Sequence, residues 1–176
     1  QGPLLSYALA DYQPPLYHFI GYTFTHLLGY SEIVLRLPSL IAGVLTVYFI
    51  VKIGEFMGSK SVGLIAGLLA ATNPLLIYYS QEGRTYAITT FFVTASFYYF
   101  LKLLNTEKKD FKLTLYYSIF TIAFIWTSYL SWFVLLAQGI YVIWKKRYDL
   151  LSIQIGASCT ILFWLPSFIT SVGIGQ

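Results

Sequence analysis

Long apolar runs constrain this chain more than any other feature. A helix needs roughly 20 apolar residues to cross the hydrocarbon core of a bilayer, and about six segments approach that length. Only 10% of the 176 residues are charged and 57% are hydrophobic, whereas soluble domains average roughly 25% charged residues. We therefore predict an all-α fold, a polytopic transmembrane helical bundle. The predicted spans are 38–56, 62–80, 86–104, 113–128, 130–144 and 150–172.

The segment Leu16–Leu28 is predicted to be helical but differs from these spans. It is short and carries Thr23, Thr25, His18 and His26. A full crossing would place polar side chains in hydrocarbon, where unsatisfied polar groups are costly. We therefore predict that this helix lies in the membrane interface on the outer side and does not span.

Basic residues are distributed unevenly between the two sides that these spans define. Lys and Arg of short loops concentrate on the cytoplasmic side of membrane proteins. Only Arg36 and Arg84 fall on the predicted outer side, which they share with the loop at 80–84 and the motif DYQPPLYH at 11–18. The residues on the predicted cytoplasmic side are Lys52, Lys60, Lys102, Lys108, Lys109, Lys112, Lys145, Lys146 and Arg147.

The same pattern excludes several classes of partner. The net charge of +4 comes from helix ends, and no soluble basic face is available to bind the phosphates of a nucleic acid. His18 and His26 are far apart in sequence and Cys159 is the single cysteine, so no metal-ligand motif is evident. The cofactor is left open, because a divalent cation would need carboxylates from elsewhere. Cys159 lies in an apolar run and is expected to be a small buried hydrophobe.

Polar side chains are expected to cluster at the outer face, and each has a plain structural explanation. Asp11 can cap a helix that begins near two prolines, and His18 can be an interfacial aromatic. Arg36 can extend its charge into water from a helix end, and Glu82 can pair with Arg84 at the surface. Arg84 stands against the positive-inside pattern, which makes it the most informative charge. The set is Asp11, Gln13, His18, Glu32, Arg36, Gln81, Glu82, Arg84 and Tyr86.

Short motifs follow one another in a distinctive order along the chain. They are DYQPPLYHFI at 11–20, RLPSLIAG at 36–43, VGLIAGLLAA at 62–71, NP at 73–74 and YSQEGRTY at 79–86. Together they resemble the membrane glycosyltransferases of the C superfamily, or GT-C. That broad group includes protein O-mannosyltransferases, lipid A aminoarabinose transferases and many bacterial and archaeal relatives. The resemblance covers essentially the whole chain.

The resemblance implies a GT-C-like module that is integral to a cell or inner membrane, with an extracytoplasmic active face. It implies transfer of a sugar from a polyprenyl-phosphate carrier to a glycan, lipid or protein acceptor. The chain begins at Gln1 without an initiator methionine, so we interpret it as a partial transferase domain that is inactive alone. Residues 1–35 would hold a remnant of the first external loop with its interfacial helix, and residues 36–176 about six transmembrane helices.

Two positions depart from the pattern of these relatives, and a further difference is expected upstream. Gln13 stands where they usually carry His or Lys, and an amide cannot neutralise a phosphate. Ser128 in the sequence WTSY at 126–129 replaces the His of their Tyr-Thr-His-Tyr turn. Their catalytic acid, usually an Asp in an Asp-Glu pair, lies before the point where this chain starts.

The chemistry itself indicates which residues could form a site. Transfer from a lipid-phosphate sugar calls for a carboxylate that activates the acceptor and for donors that stabilise the departing phosphate. Asp11 is the only carboxylate in the opening segment and is the predicted catalytic residue. Arg84 is the best phosphate ligand, because a guanidinium stays charged and grips two oxygens. The predicted substrate-binding residues are Gln13, His18, Arg36, Glu82, Arg84 and Tyr86.

Two other classes of protein compete with this interpretation. A fragment of a membrane transporter or channel also carries charges near broken helices, although no charged residue lies near the middle of a predicted span here. A purely structural membrane subunit would leave the joint presence of DYQPPLYH and SQEGRTY on one face unexplained.

Overall fold

The computed structural model describes residues 14–106 and 110–163. Within these residues the chain is helical and contains no strand, which confirms the all-α prediction. Two short 3-10 turns, Tyr129–Ser131 and Thr160–Phe163, accompany eight α-helices. The helices are α1 Leu16–Leu28, α2 Glu32–Met57, α3 Lys60–Ala71, α4 Pro74–Gln81, α5 Thr85–Leu104, α6 Phe111–Ile125, α7 Trp132–Trp144 and α8 Tyr148–Cys159.

Helix length and hydropathy separate these helices into groups. In the described residues, α2 and α5 are long and apolar enough to cross a membrane by themselves, and α3 with α4 makes a third span if the bent pair counts as one. Phe111–Ile125, Tyr129–Trp144 and Tyr148–Phe163 are shorter apolar helices. The total of about six spans stays a prediction. Helix α1 has 13 residues and belongs neither to the candidate spans nor to the shorter apolar helices.

The segment predicted as one span from 62 to 80 is two helices with an angle of 59° between them. The break lies at Thr72 and Asn73. The Asn73 side chain accepts hydrogen bonds from the amides of Leu75 and Leu76 at 3.0 and 3.1 Å, so it caps a new helix. Pro74 occupies the first position of that helix, where a missing amide proton is tolerated. The local sequence therefore ends α3 and starts α4.

The helices of the bundle alternate in direction, so their loops lie at two opposite ends. At one end, Arg147 after α7 donates to the carbonyl of Leu104 after α5 at 3.3 Å. At the other end, the Trp126 indole after α6 donates to Thr160 after α8 at 2.9 Å. We call the first the lysine end and the second the loop end. Among the described basic residues, Arg36 and Arg84 lie at the loop end, and the lysine end holds Lys52, Lys60, Lys102, Lys112, Lys145, Lys146 and Arg147.

Glycine allows α2 and α3 to cross at close range. A Cβ atom added to Gly54 would lie 2.8 Å from the Cα of Gly63, and one added to Gly63 would lie 2.6 Å from the carbonyl oxygen of Val51. Side chains at these positions would push the backbones apart. Small residues at helix crossings are a common device of membrane bundles, because close backbone approach improves packing.

A polar cluster joins α6, α7 and α8 inside the bundle. The Tyr117 hydroxyl donates to Gln138 at 2.9 Å and accepts from the amide of Gln154 at the same distance. The buried face of α8 contains Leu150, Gln154 and Ala157. Cys159 is two residues further on, on the opposite side of the helix, and is exposed. The expectation that Cys159 is buried was therefore wrong.

Candidate functional site

Residues from two of the sequence motifs and from the turn at 126–129 meet at the loop end. The amide of Leu16 donates to the carbonyl of Trp126 at 3.1 Å, and the Tyr17 hydroxyl donates to the carbonyl of Gly83. The first turn of α1 therefore bridges the turn at 126–129 and the loop at 82–84. The described part of DYQPPLYH lies at the same end of the bundle as SQEGR, as the sequence predicted.

Both ends of α1 lie at this loop end. Its first turn contacts Gly83 and Trp126. Its last turn is followed by residues 29–31, which lead directly into the first turn of α2. A helix with both termini at one end of a bundle does not run through it from end to end. This arrangement supports the interfacial position predicted for α1, and the position relative to a membrane stays a prediction.

A polar cavity of about 390 Å³ opens at the loop end. Three elements form it: the second turn of α2, the last two turns of α4 and the link between α4 and α5. Arg36, Glu82 and Arg84 were predicted as substrate-binding residues, and the structure brings all three to this cavity. The lining residues are Arg36, Tyr78, Gln81, Glu82, Gly83 and Arg84.

The charges around the cavity are not all neutralised. Arg36 forms an ion pair with Glu32, one helical turn earlier. Glu82 accepts a hydrogen bond from the Tyr78 hydroxyl at 2.9 Å. Within residues 14–106 and 110–163, the Arg84 side chain has no acidic partner, so the plain surface pair of Glu82 with Arg84 does not form. One guanidinium therefore faces the cavity with its donors available.

The backbone of Arg84 is held in place although its side chain is exposed. Arg84 precedes the first turn of α5 in an extended conformation, and its side chain makes no capping hydrogen bond. The buried hydroxyl of Ser39 on α2 donates to the Arg84 carbonyl at 3.4 Å. The amino end of α5, a helix of 20 residues, carries partial positive charge. Arg84 therefore places a positive charge at this helix end, in the wall of a cavity that also holds the Glu82 carboxylate.

The other predicted site residues lie elsewhere. His18 packs edge-on against Tyr17, with ring centroids 5.6 Å apart, and does not line the cavity. Tyr86 lies in the first turn of α5 and packs on Tyr79 at 4.8 Å, also outside the cavity wall. Asp11, the predicted catalytic residue, and Gln13 lie outside the described residues.

Tyr78 is a cavity residue that the sequence alone did not indicate. It lies four residues before Glu82, a spacing that places two side chains on one helical face. That signal was present in the sequence, but it depends on α4 beginning at Pro74. The prediction of a single span through this region obscured it.

A second, apolar cavity of about 130 Å³ lies between α1, α2 and α5. It begins at Pro38, two residues after Arg36, and continues along α2 away from the polar cavity. Its wall contains no charged side chain. The lining residues are Ile20, Phe24, Pro38, Ile41, Ala42, Leu45, Ile88, Phe91 and Phe92.

The described residues contain no group of three or more His, Cys, Asp or Glu side chains that could hold an ion.

A comparison with family models identifies the class of this protein, a membrane glycosyltransferase of the GT-C type. The sequence model of the dolichyl-phosphate-mannose-protein mannosyltransferase family matches residues 12–172. The chain belongs to this family. No curated protein and no solved structure matches it. The family confirms the resemblance drawn from the motifs and favours an integral-membrane, mannosyltransferase-type enzyme over a transporter or a structural subunit.

Proposed function

We propose that the protein transfers a sugar, such as mannose, from a polyprenyl-phosphate carrier to a protein or other hydroxyl-bearing acceptor at the extracytoplasmic face of the membrane. One observation carries the proposal. Arg84 lines a polar cavity at the loop end and has no acidic partner among the described residues. A free guanidinium beside a helix amino end is suited to a phosphate.

The reaction needs positive charge at the leaving group. The acceptor oxygen attacks the anomeric carbon, the bond between that carbon and the phosphate oxygen breaks, and the acceptor proton passes to a carboxylate. Negative charge accumulates on the departing lipid phosphate. We assign Arg84 to this phosphate, with two parallel hydrogen bonds. Arg36 shares the cavity and adds a second positive charge, part of which its ion pair with Glu32 offsets.

The lipid part of the donor needs an apolar surface next to the phosphate site. The apolar cavity between α1, α2 and α5 meets this need through α5, because its wall includes Ile88, one helical turn along the chain from Arg84. We place the first isoprenoid units of the carrier there. Helix α1 would then have a role in catalysis, since Ile20 and Phe24 form one wall of that cavity.

The acceptor side of the reaction is assigned to the opening segment. The bond from Leu16 to Trp126 fixes the start of α1 at the loop end, and Asp11 precedes it by only five residues. We assign Asp11 as the group that orients the acceptor or takes its proton. We assign Gln13 and His18 to contacts with the substrates. Tyr86, which follows the loop at 82–84, is assigned to a further substrate contact.

The experiment is substitution of Arg84 in the full-length protein, with transfer from a polyprenyl-phosphate sugar as the readout. Arg84→Lys keeps the charge but removes the planar fork, so transfer should fall while membrane insertion survives. Arg84→Ala should lose more. Hydrogen bonds to charged groups contribute about 1.5–3 kcal/mol, which corresponds to roughly ten- to a hundredfold.

Arg147→Lys is the matched control, because Arg147 lies at the opposite end of the bundle. It should leave transfer unchanged. A well-inserted Arg84→Ala protein with undiminished transfer would remove Arg84 from the site and overturn the proposal.

A further inference from the structure

We infer that Tyr78 is a positioning residue that holds the Glu82 carboxylate away from Arg84 and so keeps the Arg84 guanidinium available for the donor phosphate. This inference rests on the proposed function. The juxtaposition that carries it is the hydrogen bond from the Tyr78 hydroxyl to Glu82 at 2.9 Å, in the wall of the cavity that Arg84 also lines.

Glu82 and Arg84 have a spacing that permits an ion pair in this protein. Arg147 and Asp149 have the same separation of two residues, and they form two hydrogen bonds of 3.0 and 2.9 Å. Arg36 with Glu32 and Lys52 with Glu55 are paired as well. Glu82 is therefore expected to pair with Arg84 unless another group holds it. Tyr78 is the group that does so.

The geometry explains how a neutral hydroxyl can outweigh a nearby cation. Tyr78 lies in the last two turns of α4, and Glu82 is the first residue after that helix. The spacing of four residues aligns the hydroxyl with the carboxylate along one face of the helix. Arg84 follows Gly83, at the end of the link to α5. The Tyr78 bond fixes the carboxylate on the α4 side of the cavity.

A purely structural role for the Tyr78 hydrogen bond predicts a different outcome. If the bond only stabilised the end of α4, its loss would lower stability, and the charge of Glu82 would be irrelevant. If the bond restrains Glu82, its loss releases a carboxylate that competes with the phosphate for Arg84. Exposed ion pairs are weak, so the competition should raise the donor KM by roughly two- to fivefold. The kcat value should change little, because in the enzyme–donor complex the phosphate has already displaced the carboxylate from Arg84.

The test is a double-mutant cycle in the full-length enzyme, with the donor KM and kcat measured separately. Tyr78→Phe removes only the hydroxyl and should raise the donor KM. The Glu82→Gln protein has no carboxylate at position 82 that could be released. Adding Tyr78→Phe to it should therefore leave its donor KM unchanged. Tyr141→Phe, at the lysine end, is the matched control and should have no effect on the donor KM. If Tyr78→Phe accumulates poorly, the cycle is repeated with Tyr78→Leu.

The outcomes separate this inference from the proposed function. If Arg84→Ala lowers transfer but Tyr78→Phe changes the donor KM equally in both backgrounds, or in neither, the positioning role is overturned and the function stands. If Arg84→Ala leaves transfer intact, the proposed function itself is overturned. If the effect of Tyr78→Phe depends on the charge at position 82 and Arg84→Ala loses transfer, both the positioning role and the proposed function are supported.

Discussion

Two pairs of an acidic residue and an arginine lie at opposite ends of the molecule and differ in their contacts. At the lysine end, Arg147 binds both carboxylate oxygens of Asp149 and also donates to the Leu104 carbonyl. At the loop end, Glu82 binds Tyr78, and Arg84 is left without an acidic partner among the described residues. The separation in sequence is the same. The difference indicates that Arg84 stays available for a ligand because Tyr78 holds the nearby Glu82 carboxylate.

The surroundings of the two arginines fit this contrast. Arg147 follows α7 and ties it to the end of α5, and nearby lysines lie over aromatic rings, as Lys145 does over Trp144 at 5.2 Å. These contacts anchor helix ends and are typical of a membrane surface. Arg84 instead borders a polar cavity at the loop end. The lysine end uses its charge for structure, whereas we propose that Arg84 at the loop end binds a ligand.

The largest expected effect concerns the sides of the membrane that the two ends face. Single cysteines at Thr106 and Gly83, in a Cys159→Ser background, should react with an impermeant thiol reagent from opposite sides. The excess of basic residues predicts that Thr106 reacts from the cytoplasm. The background substitution is needed because Cys159 is exposed. Reaction of both cysteines from one side would break the comparison of the two ends.

A packing change should affect both ends together. Gly63→Leu places a side chain where the Val51 carbonyl lies only 2.6 Å from an added Cβ. Overpacking costs about 1–3 kcal/mol, so the yield of folded protein and the thermal stability in detergent should both drop. Gly21→Leu on α1 is the control, since no atom lies within 4 Å of an added Cβ there. Equal stability of the two variants would contradict the close crossing of α2 and α3.

A smaller effect is expected from the paired arginine. The pKa of Asp149 is lowered by the hydrogen bond from Arg147. A depressed carboxyl pKa contributes stability above the unfolded pKa, and that contribution is lost as the pH falls through the folded value. The melting temperature should therefore decrease slightly when the pH drops below about 4. Asp149→Asn should remove this part of the pH dependence. An unchanged acid profile in Asp149→Asn would show that the pair contributes nothing measurable.

The sequence predicted the fold class and the distribution of charge because both depend on local properties. Apolar run length placed the span at 86–104 within one residue of the observed helix Thr85–Leu104. It also separated α1 from the longer helices. The sequence did not predict the break at Asn73, because run length ignores a cap within an apolar segment. The Asn73-Pro74 pair was a visible signal, since both residues favour the start of a new helix.

The site was predicted only in part, because the choice of partner depends on three-dimensional position. Arg36, Glu82 and Arg84 were expected at one face, and the structure brings them to one cavity. The sequence could not decide whether Glu82 pairs with Arg84 or with Tyr78, since both lie within reach along the chain. The direction in which the chain leaves α4 decides which of the two residues Glu82 contacts. Cys159 was misplaced for a related reason, because an apolar run does not show which side of a helix is covered.

The most direct test of the central claim is the binding of a polyprenyl phosphate to the purified full-length protein in lipid nanodiscs. Arg84→Ala should weaken Kd by roughly ten- to a hundredfold, because a charged hydrogen-bond donor is lost. Arg147→Ala should leave Kd unchanged, because that guanidinium is already paired at the other end of the bundle. Equal Kd values for the wild-type and Arg84→Ala proteins, or equal weakening by both substitutions, would contradict the claim that Arg84 binds the phosphate at this site.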